Sequence, residues 1–254
     1  ELDAFKHAGV PLVGDARATL EALSAALRGW SVAPEYREAT LGHNRAWDRE
    51  VERIYTLGHG PLPSQGEIVG AVNRAAGPRD VVVCAAGSLP GDLHKLWRTR
   101  DPKGYHVEYG YSCMGYEIPG GIGIRMASPD RDVFVMIGDG SYLMMPTELV
   151  TAVQEGVKIV VVLVQNHGFA SIGALSEQLG SQRFGTRYRY RAANGRLEGD
   201  VLPVDLAANA ASLGVDVLVA QDGPSFEAAL RKAKASDRTT VVHVETDPLV
   251  DAPS

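Results

Sequence analysis

The chain has 254 residues, of which 45% are apolar and 22% are charged, and its formal net charge is −6. This composition is typical of a soluble globular protein, and it provides no overall positive field for holding nucleic acid. No apolar run reaches the roughly 18 residues needed to span a bilayer, and the first residues lack a signal-peptide pattern, so we expect a cytoplasmic protein that binds neither membrane nor nucleic acid.

The first 29 residues predict a short strand followed by an amphipathic helix. The strand is predicted at residues 10–13, and Leu20, Leu23 and Leu27 recur at helical spacing up to Gly29. One such unit cannot close a core alone. We therefore expect the chain to begin within a larger architecture.

A second helix is predicted in the charged and aromatic segment 30–58, where Trp47, Val51 and Ile54 have helical spacing. The run Gly-His-Gly-Pro-Leu-Pro at 58–63 then breaks regular structure. We interpret residues 30–58 as a linker helix that ends at a domain boundary.

From Ser64 onward, predicted helices and strands alternate, beginning with a helix through Ile68 and Val72 and the apolar run 81–85. Short apolar runs of this kind fit strands that are buried on both faces of a parallel sheet. Further strands are predicted at 133–137, 159–164, 215–219 and 240–244, with helices at 115–126, 146–155, 204–213 and 225–235. This alternation predicts an α/β fold, a doubly wound parallel sheet with helices on both faces.

The two cysteines, Cys84 and Cys113, lie in unrelated segments. Neither a disulfide framework nor a cysteine zinc site is indicated. We predict that both are buried thiols.

Two polar motifs follow neighbouring predicted strands. Gly138-Asp139-Gly140-Ser141 follows the strand at 133–137, and Asn166 follows the strand at 159–164. If the strands are adjacent, their carboxyl ends lie about 5 Å apart at the edge where open parallel sheets bind ligands. Carboxylate and amide oxygens suit Mg²⁺, and the helix amides after Asp139 can face an anion. The sequence therefore predicts magnesium with a diphosphate.

Gly-Asp-Gly alone is commonly a tight turn, so the spacing decides its interpretation. Twenty-five residues separate Gly140 from Asn166. This pattern resembles the signature of thiamine-diphosphate-dependent enzymes, in which Gly-Asp-Gly is followed after 24 to 27 residues by Asn. His167 stands where many members have a second Asn.

Residues 105–128 resemble the segment that carries the cofactor's aminopyrimidine in this family. The resemblance implies that Met114 supports the bent form of the cofactor and that the Ser112 carbonyl accepts from its 4′-amino group. A core position for Met114 is the structural alternative.

The strings at 85–92, 138–145 and 181–191 closely resemble the ring-opening trihydroxycyclohexanedione hydrolases of myo-inositol catabolism, and the similarity covers nearly the whole chain. It implies a thiamine-diphosphate- and Mg²⁺-dependent enzyme that cleaves a carbon–carbon bond of a cyclic dione to give 5-deoxyglucuronate. A homodimer or homotetramer is implied for the intact enzyme.

The same resemblance implies a domain division. Residues 1–29 would end a central domain, 30–58 would be the linker helix, and 59–254 would form the diphosphate-binding domain. We expect both ends to be cut, with the amino-terminal pyrimidine-binding domain and its activating glutamate absent and the chain inactive alone. No catalytic residue is therefore assigned within it.

The resemblance also supplies the candidate site. The implied metal ligands are Asp139, Asn166 and the Gly168 carbonyl. The implied cofactor contacts are Gly87, Ser88, Leu89, Ser112, Met114, Gly138, Asp139, Gly140, Ser141, Asn166 and Gly168.

An arginine-rich segment at 180–196 carries interleaved aromatic residues: Arg183, Arg187, Arg189, Arg191 and Arg196 with Phe184, Tyr188 and Tyr190. The acidic chain as a whole disfavours a nucleic-acid patch. We interpret the segment as a lid on the substrate side or an oligomer contact, and a mobile solvated loop is the alternative.

Three histidines could serve the site. His167 abuts a predicted metal ligand and could act as an acid or base, although a structural role explains it as well. His59 and His94 lie in loops that reach either the site or the surface.

Three other functions compete with this assignment. An acetolactate synthase-like lyase is disfavoured by the strings at 85–92 and 181–191, and a non-catalytic fragment or assembly module remains open. A nicotinamide-binding domain is disfavoured because no Gly-x-Gly-x-x-Gly opens a helix after a strand, and the glycines at 120–123 lie within a helical pattern.

Overall fold

The computed structural model describes residues 2–248 and 250, and these form two compact units that divide between Arg49 and Glu50. The expectations about the chain's ends, at Glu1 and at 251–254, lie outside the described residues. No helix among the described residues is both long and apolar enough to cross a bilayer.

The first unit contains α1 (Leu2–Lys6), α2 (Ala16–Ala26) and the beginning of α3 (Pro34–Tyr55). The Asp15 side chain caps α2 by accepting from the Ala18 N–H at 2.9 Å. The predicted strand at 10–13 is wrong. Its Val10 side chain is 86% exposed, and no strand among the described residues of this unit offers the ladder partner that a strand requires.

The second unit alternates strands and helices from Gln65 onward. Its helices are α4 (Gln65–Ala75), α5 (Ser88–Leu96), α6 (Glu117–Ala127), α7 (Asp139–Tyr142), α8 (Glu148–Gln154), α9 (Ala170–Gln178), α10 (Leu206–Ser212) and α11 (Gly223–Ala235). Its strands are β1 (Val81–Cys84), β2 (Tyr105–Val107), β3 (Val133–Gly138), β4 (Val160–Gln165), β5 (Asp216–Ala220) and β6 (Thr240–Glu245).

The six strands form one parallel sheet in the order β2-β1-β3-β4-β6-β5. Alternate residues of each strand enter different apolar clusters, because strand side chains alternate between faces. Phe134 and Met136 of β3 pack with α4, α5 and α11, whereas Val133, Val135 and Ile137 pack with α6, α8 and α10. The predicted doubly wound sheet, with helices on both faces, is confirmed.

Most predicted elements are confirmed with small shifts at their ends. The helix predicted within residues 30–58 is α3, and the helix predicted at 146–155 begins at Glu148, two residues after Pro146. Strand β2 and helices α5, α7 and α9 are additional. Strand β2 escapes prediction because it is three half-buried residues at the sheet edge, without an apolar run.

The cysteine prediction is half correct. Cys84 is buried on β1, but Cys113 is exposed. Cys113 lies in a loop between β2 and α6, where its backbone N–H donates to the Glu108 carboxylate at 2.6 Å. The loop places the thiol outside both apolar clusters.

The strand order reverses between β1 and β3. From β1 the chain adds β2 on one side and then returns to place β3 on the other. Crevices outside the carboxyl ends of strands at such a reversal are where open α/β sheets bind ligands. The loops that follow β1 and β3 therefore frame the expected binding position.

Candidate active site

A cavity of about 260 Å³ lies outside the carboxyl ends of β1, β3 and β4. It is lined by every predicted cofactor contact, namely Gly87, Ser88, Leu89, Ser112, Met114, Gly138, Asp139, Gly140, Ser141, Asn166 and Gly168. Sequence reasoning missed Gln65, Ala86, Phe169, Ala170, Ser171 and Ile172, which also line it. The fold thus brings residues from five separate segments to one cavity.

Asp139 sits at the tip of β3 with 1% of its surface exposed. The register pairs Gly138 with Val164, so the tips of β3 and β4 lie side by side. The Asp139 carboxylate accepts from the Gly140 N–H at 2.7 Å, the Gly168 N–H at 3.1 Å and the Asn166 N–H at 3.2 Å. The two predicted metal-binding segments therefore converge on one carboxylate.

The Asn166 side-chain oxygen is the second feature that fits a cation. Oδ1 is buried and has no hydrogen-bond partner among the described residues, an arrangement that costs free energy unless a ligand satisfies it. Burial raises the pKa of Asp139 to about 6, against the opposing effect of its backbone donors. A cation beside the carboxylate would favour its charged form. The donor set, an anionic oxygen and an unpartnered amide oxygen, suits Mg²⁺.

Gly168 lies so close to the loop that contains Thr186 and Arg187 that the contact restricts the residue type at this position. A Cβ atom at this position would lie 2.2 Å from the Thr186 carbonyl oxygen and 3.0 Å from the Arg187 Cα. Gly168 forms an isolated antiparallel bridge with Arg187, and its N–H holds Asp139. Only glycine fits between the predicted metal-binding segment and this loop.

The loop after β1 offers a place for a diphosphate. Gly87 precedes α5 with φ +103°, a conformation that glycine adopts without strain, and Ser88 and Leu89 at the start of α5 line the cavity, where helix amides can meet an anion. Gly140 allows close packing of Phe169, whose ring would lie 2.8 Å from a Cβ atom there. Among the described residues that line the cavity, only Asp139 carries a carboxylate.

Met114 and Ser112 form the third wall. Met114 is half-buried, lines the cavity and belongs to neither apolar cluster, which argues against the alternative of a core residue. Ser112 has φ +54°, an uncommon conformation for a residue with a side chain. The turn exposes residues 111–113 beside the cavity.

Glu117 lies directly behind the cavity and was missed by sequence reasoning. Its carboxylate is 1% exposed, and it accepts from the Ser141 hydroxyl at 2.7 Å and the Gly115 N–H at 3.1 Å. Burial raises the pKa of Glu117, while the Ser141 and backbone donors act in the opposite direction. The available signal was a lone acidic residue in the otherwise uncharged stretch Gly-Tyr-Glu-Ile-Pro.

His167 has both ring nitrogens engaged. Nδ1 lies 3.1 Å from Gln165 Nε2, and Nε2 lies 3.4 Å from Glu245 Oε2. Because the Gln165 amide donates to Nδ1, the ring proton lies on Nε2; the Gln165 carbonyl oxygen is 2.7 Å from Nε2 of His243. This chain of contacts favours a structural role for His167.

The other two histidines do not line the cavity. His59 lies 3.0 Å from the Asp247 carboxylate, and His94 packs against the rings of Tyr105 and Tyr109. Both histidines make these contacts with residues other than the predicted metal ligands.

The arginine-rich segment lies beside the metal-binding segment. Besides the Gly168–Arg187 bridge, Arg189 bridges to Val201, and Arg183 pairs with Glu177 at 2.6 Å. A second cavity of about 340 Å³ is lined in part by Arg183, Arg187, Arg189 and Arg196. The segment is thus tied to the site at one end and carries a concentrated positive charge.

Two of the curated relatives align with 98% of this chain. Proteins named 3D-(3,5/4)-trihydroxycyclohexane-1,2-dione hydrolase are 36% identical in Geobacillus thermodenitrificans and 34% identical in Clostridium perfringens. The chain spans 42% of the length of each.

The fold is shared with a solved structure, the thiamine diphosphate-dependent 4-hydroxybenzoylformate decarboxylase of Rhodococcus jostii RHA1. The TM-score is 0.63 at 22% identity, over 75% of this chain and 34% of that chain. The match to the family described as "Thiamine pyrophosphate enzyme, C-terminal TPP binding domain" covers residues 85–244, which include the predicted metal ligands and most of the cavity. The chain belongs to this family of thiamine-diphosphate-binding domains.

Proposed function

We propose that this chain is the diphosphate- and magnesium-binding part of a hydrolase that opens 3D-(3,5/4)-trihydroxycyclohexane-1,2-dione to 5-deoxyglucuronate. The observation that carries the proposal is a pair of features at the carboxyl ends of β3 and β4: the Asp139 carboxylate accepts from the Asn166 N–H, and the buried Asn166 side-chain oxygen has no partner among the described residues. The substrate follows from the names of the relatives that match 98% of the chain.

In this proposal Mg²⁺ is held by Asp139, Asn166 and the Gly168 carbonyl. The diphosphate faces Gly87, Ser88, Gly140 and Ser141, whose segments line the same cavity. The glycines among them leave room for close backbone approach. The buried carboxylate then gains the positive charge that its surroundings lack.

Bound thiamine diphosphate supplies an electron sink for carbon–carbon bond cleavage. The chain's own residues bind and orient it. Met114 supports its bent form, the Ser112 carbonyl accepts from its amino group, and Leu89 packs beside it. Phe169 and Ile172 make the cavity's outer wall apolar and exclude competing water.

The proposed domain division follows the longer relatives. Residues 1–29 end a central domain, 30–58 form the linker helix, and 59–254 form the diphosphate-binding domain. Because the chain spans 42% of its relatives' length, we propose that catalysis needs the remainder of such a protein, including a glutamate that activates the cofactor. A cytoplasmic homodimer or homotetramer is proposed for the assembly.

The test is substrate turnover by the intact protein with Mg²⁺ and thiamine diphosphate. We expect hydrolysis of the cyclic dione and no acetolactate from pyruvate. Acetolactate formation without dione turnover would instead identify an acetolactate synthase-like enzyme. Failure with both substrates, despite cofactor binding, would contradict the proposed reaction.

A further inference from the structure

One buried carboxylate connects three segments that frame the cavity. Glu117, the first residue of α6, accepts from the Ser141 hydroxyl after β3 and from the Gly115 N–H next to Met114, and the nearby Ala86 backbone after β1 acts to lower its pKa. The carboxylate itself does not line the cavity. Its contacts therefore act on the positions of the loops rather than on a bound molecule.

The hydrogen bonds of Ser141 restrict what its hydroxyl can do. A serine hydroxyl has one proton and two lone pairs. The Oγ lies 2.7 Å from each Glu117 carboxylate oxygen and accepts from the Gly115 N–H at 2.8 Å. The single proton is committed to Glu117, so only a lone pair remains, and a lone pair cannot stabilise a phosphate oxygen.

We propose that Glu117 is a positioning residue that locks the three cofactor-facing loops together, and that Ser141 meets the diphosphate through its backbone N–H. The part concerning the diphosphate rests on the proposed function. The part concerning the loops does not, because it depends only on contacts within the chain.

The hydrogen bonds of Glu117 offset part of the cost of burying its charge. A buried carboxylate is costly unless its oxygens are hydrogen-bonded, and Glu117 has the Ser141 hydroxyl and the Gly115 amide as donors at a helix start, where negative charge is favoured. An apolar residue would avoid the cost but would leave the Gly115 amide and the Ser141 hydroxyl without this acceptor. Burial of the Glu117 charge therefore costs free energy, and the hydrogen bonds that this charge accepts fix the positions of the loops.

The first experiment measures hydrogen–deuterium exchange of the full chain without cofactor. Glu117→Gln replaces an acceptor oxygen with an amide that must face a donor, so exchange should accelerate about tenfold or more at residues 86–88, 113–116 and 140–142 together. The matched control is Glu67→Gln. Glu67 also holds a serine hydroxyl and backbone amides at a helix start, and its loss should accelerate only residues 58–64.

Unchanged exchange in all three segments of folded Glu117→Gln would overturn the proposal, as would acceleration confined to one of them. If Glu117→Gln does not fold, Ser141→Ala serves instead. It removes the hydroxyl shared by Glu117 and Gly115, and it should accelerate residues 113–116 as well as 140–142.

The second experiment titrates the intact protein with thiamine diphosphate at saturating Mg²⁺ by calorimetry. Glu117→Gln should weaken binding about tenfold, which is about 1.4 kcal/mol. The Glu117→Gln/Ser141→Ala double variant should bind thiamine diphosphate no more weakly than the single variant with the lower affinity, because both residues act through one network. Multiplying effects would mean that Ser141 binds the diphosphate through its hydroxyl. If the unsubstituted protein binds no cofactor, the proposed function fails while the exchange result still decides the loop network.

Discussion

Replacement of Gly168 by Ala tests whether the metal-binding segment depends on its close contact with the next loop. The added Cβ would lie 2.2 Å from the Thr186 carbonyl oxygen, which is backbone and cannot move away as a side-chain end can. Relief requires the loop at 186–188 to shift. The shift would stretch two backbone hydrogen bonds, Phe169 N–H to Thr186 O at 2.8 Å and Tyr188 N–H to His167 O at 3.0 Å.

The expected cost follows from these two contributions. Each backbone hydrogen bond contributes about 0.5–1.5 kcal/mol net, and the backbone strain at φ +153° adds roughly 1–3 kcal/mol. The free energy of unfolding should therefore fall by roughly 2–6 kcal/mol. At about 2–4 °C per kcal/mol for a domain of this size, the midpoint of thermal unfolding should fall by at least about 4 °C.

The control is Gly180→Ala, and the assay is thermal unfolding followed by circular dichroism. Gly180 also has a positive φ, +83°, but a Cβ there meets no atom within 4 Å. It should cost only backbone strain, roughly 1–2 kcal/mol. Affinity for thiamine diphosphate with Mg²⁺ should fall in Gly168→Ala and not in Gly180→Ala. Equal losses of stability in the two variants, with equal cofactor affinity, would refute the steric argument.

Three further predictions test the core, the thiols and a buried histidine. Phe226→Ala, which removes a fully buried side chain of α11, should lower the free energy of unfolding by about 3–5 kcal/mol in urea titrations; a loss below about 1 kcal/mol would contradict the burial of Phe226 in the core. A maleimide should label exposed Cys113 well before Cys84 in the folded protein, because Cys84 is buried and its burial raises its pKa to about 11; labelling at an equal rate after Cys113→Ser would be inconsistent with the fold. Burial lowers the pKa of His243, so the unfolded chain binds a proton at this residue more readily than the folded protein does. The contribution of His243 to the free energy of unfolding is therefore complete above about pH 6.5 and is lost as the pH falls through the folded pKa. His243→Gln should lose less stability than the unsubstituted protein between pH 7.5 and 5, and identical losses would argue against this assignment.

The sheet was predictable because apolar runs mark strands that are buried on both faces. Runs such as 159–164 and 240–244 lie within one residue of β4 and β6. Residues 10–13 carry the same kind of apolar pattern without forming a strand, since a ladder partner is a tertiary property that local composition does not contain. Cys113 was misplaced for the same reason: loop exposure depends on which contacts the chain makes, here with Glu108.

The candidate site was predictable where spacing implies geometry. The interval between Gly140 and Asn166 requires a helix and a returning strand, and the fold brings both tips to one carboxylate. Glu117 was not predictable in the same way. Its partners Ala86 and Ser141 are 31 and 24 positions away along the sequence, and only the packing of α6 against the sheet brings them together.

Magnesium-dependent cofactor binding is the most direct measurement of the central claim. Thiamine diphosphate should be titrated calorimetrically into the intact protein with Mg²⁺ or with EDTA, using the unsubstituted protein and Asp139→Asn, which keeps the side-chain shape but removes the charge. Binding that requires Mg²⁺ and is lost in Asp139→Asn is the predicted result. Binding of equal affinity in EDTA, or in the variant, would contradict a metal-anchored diphosphate at this site.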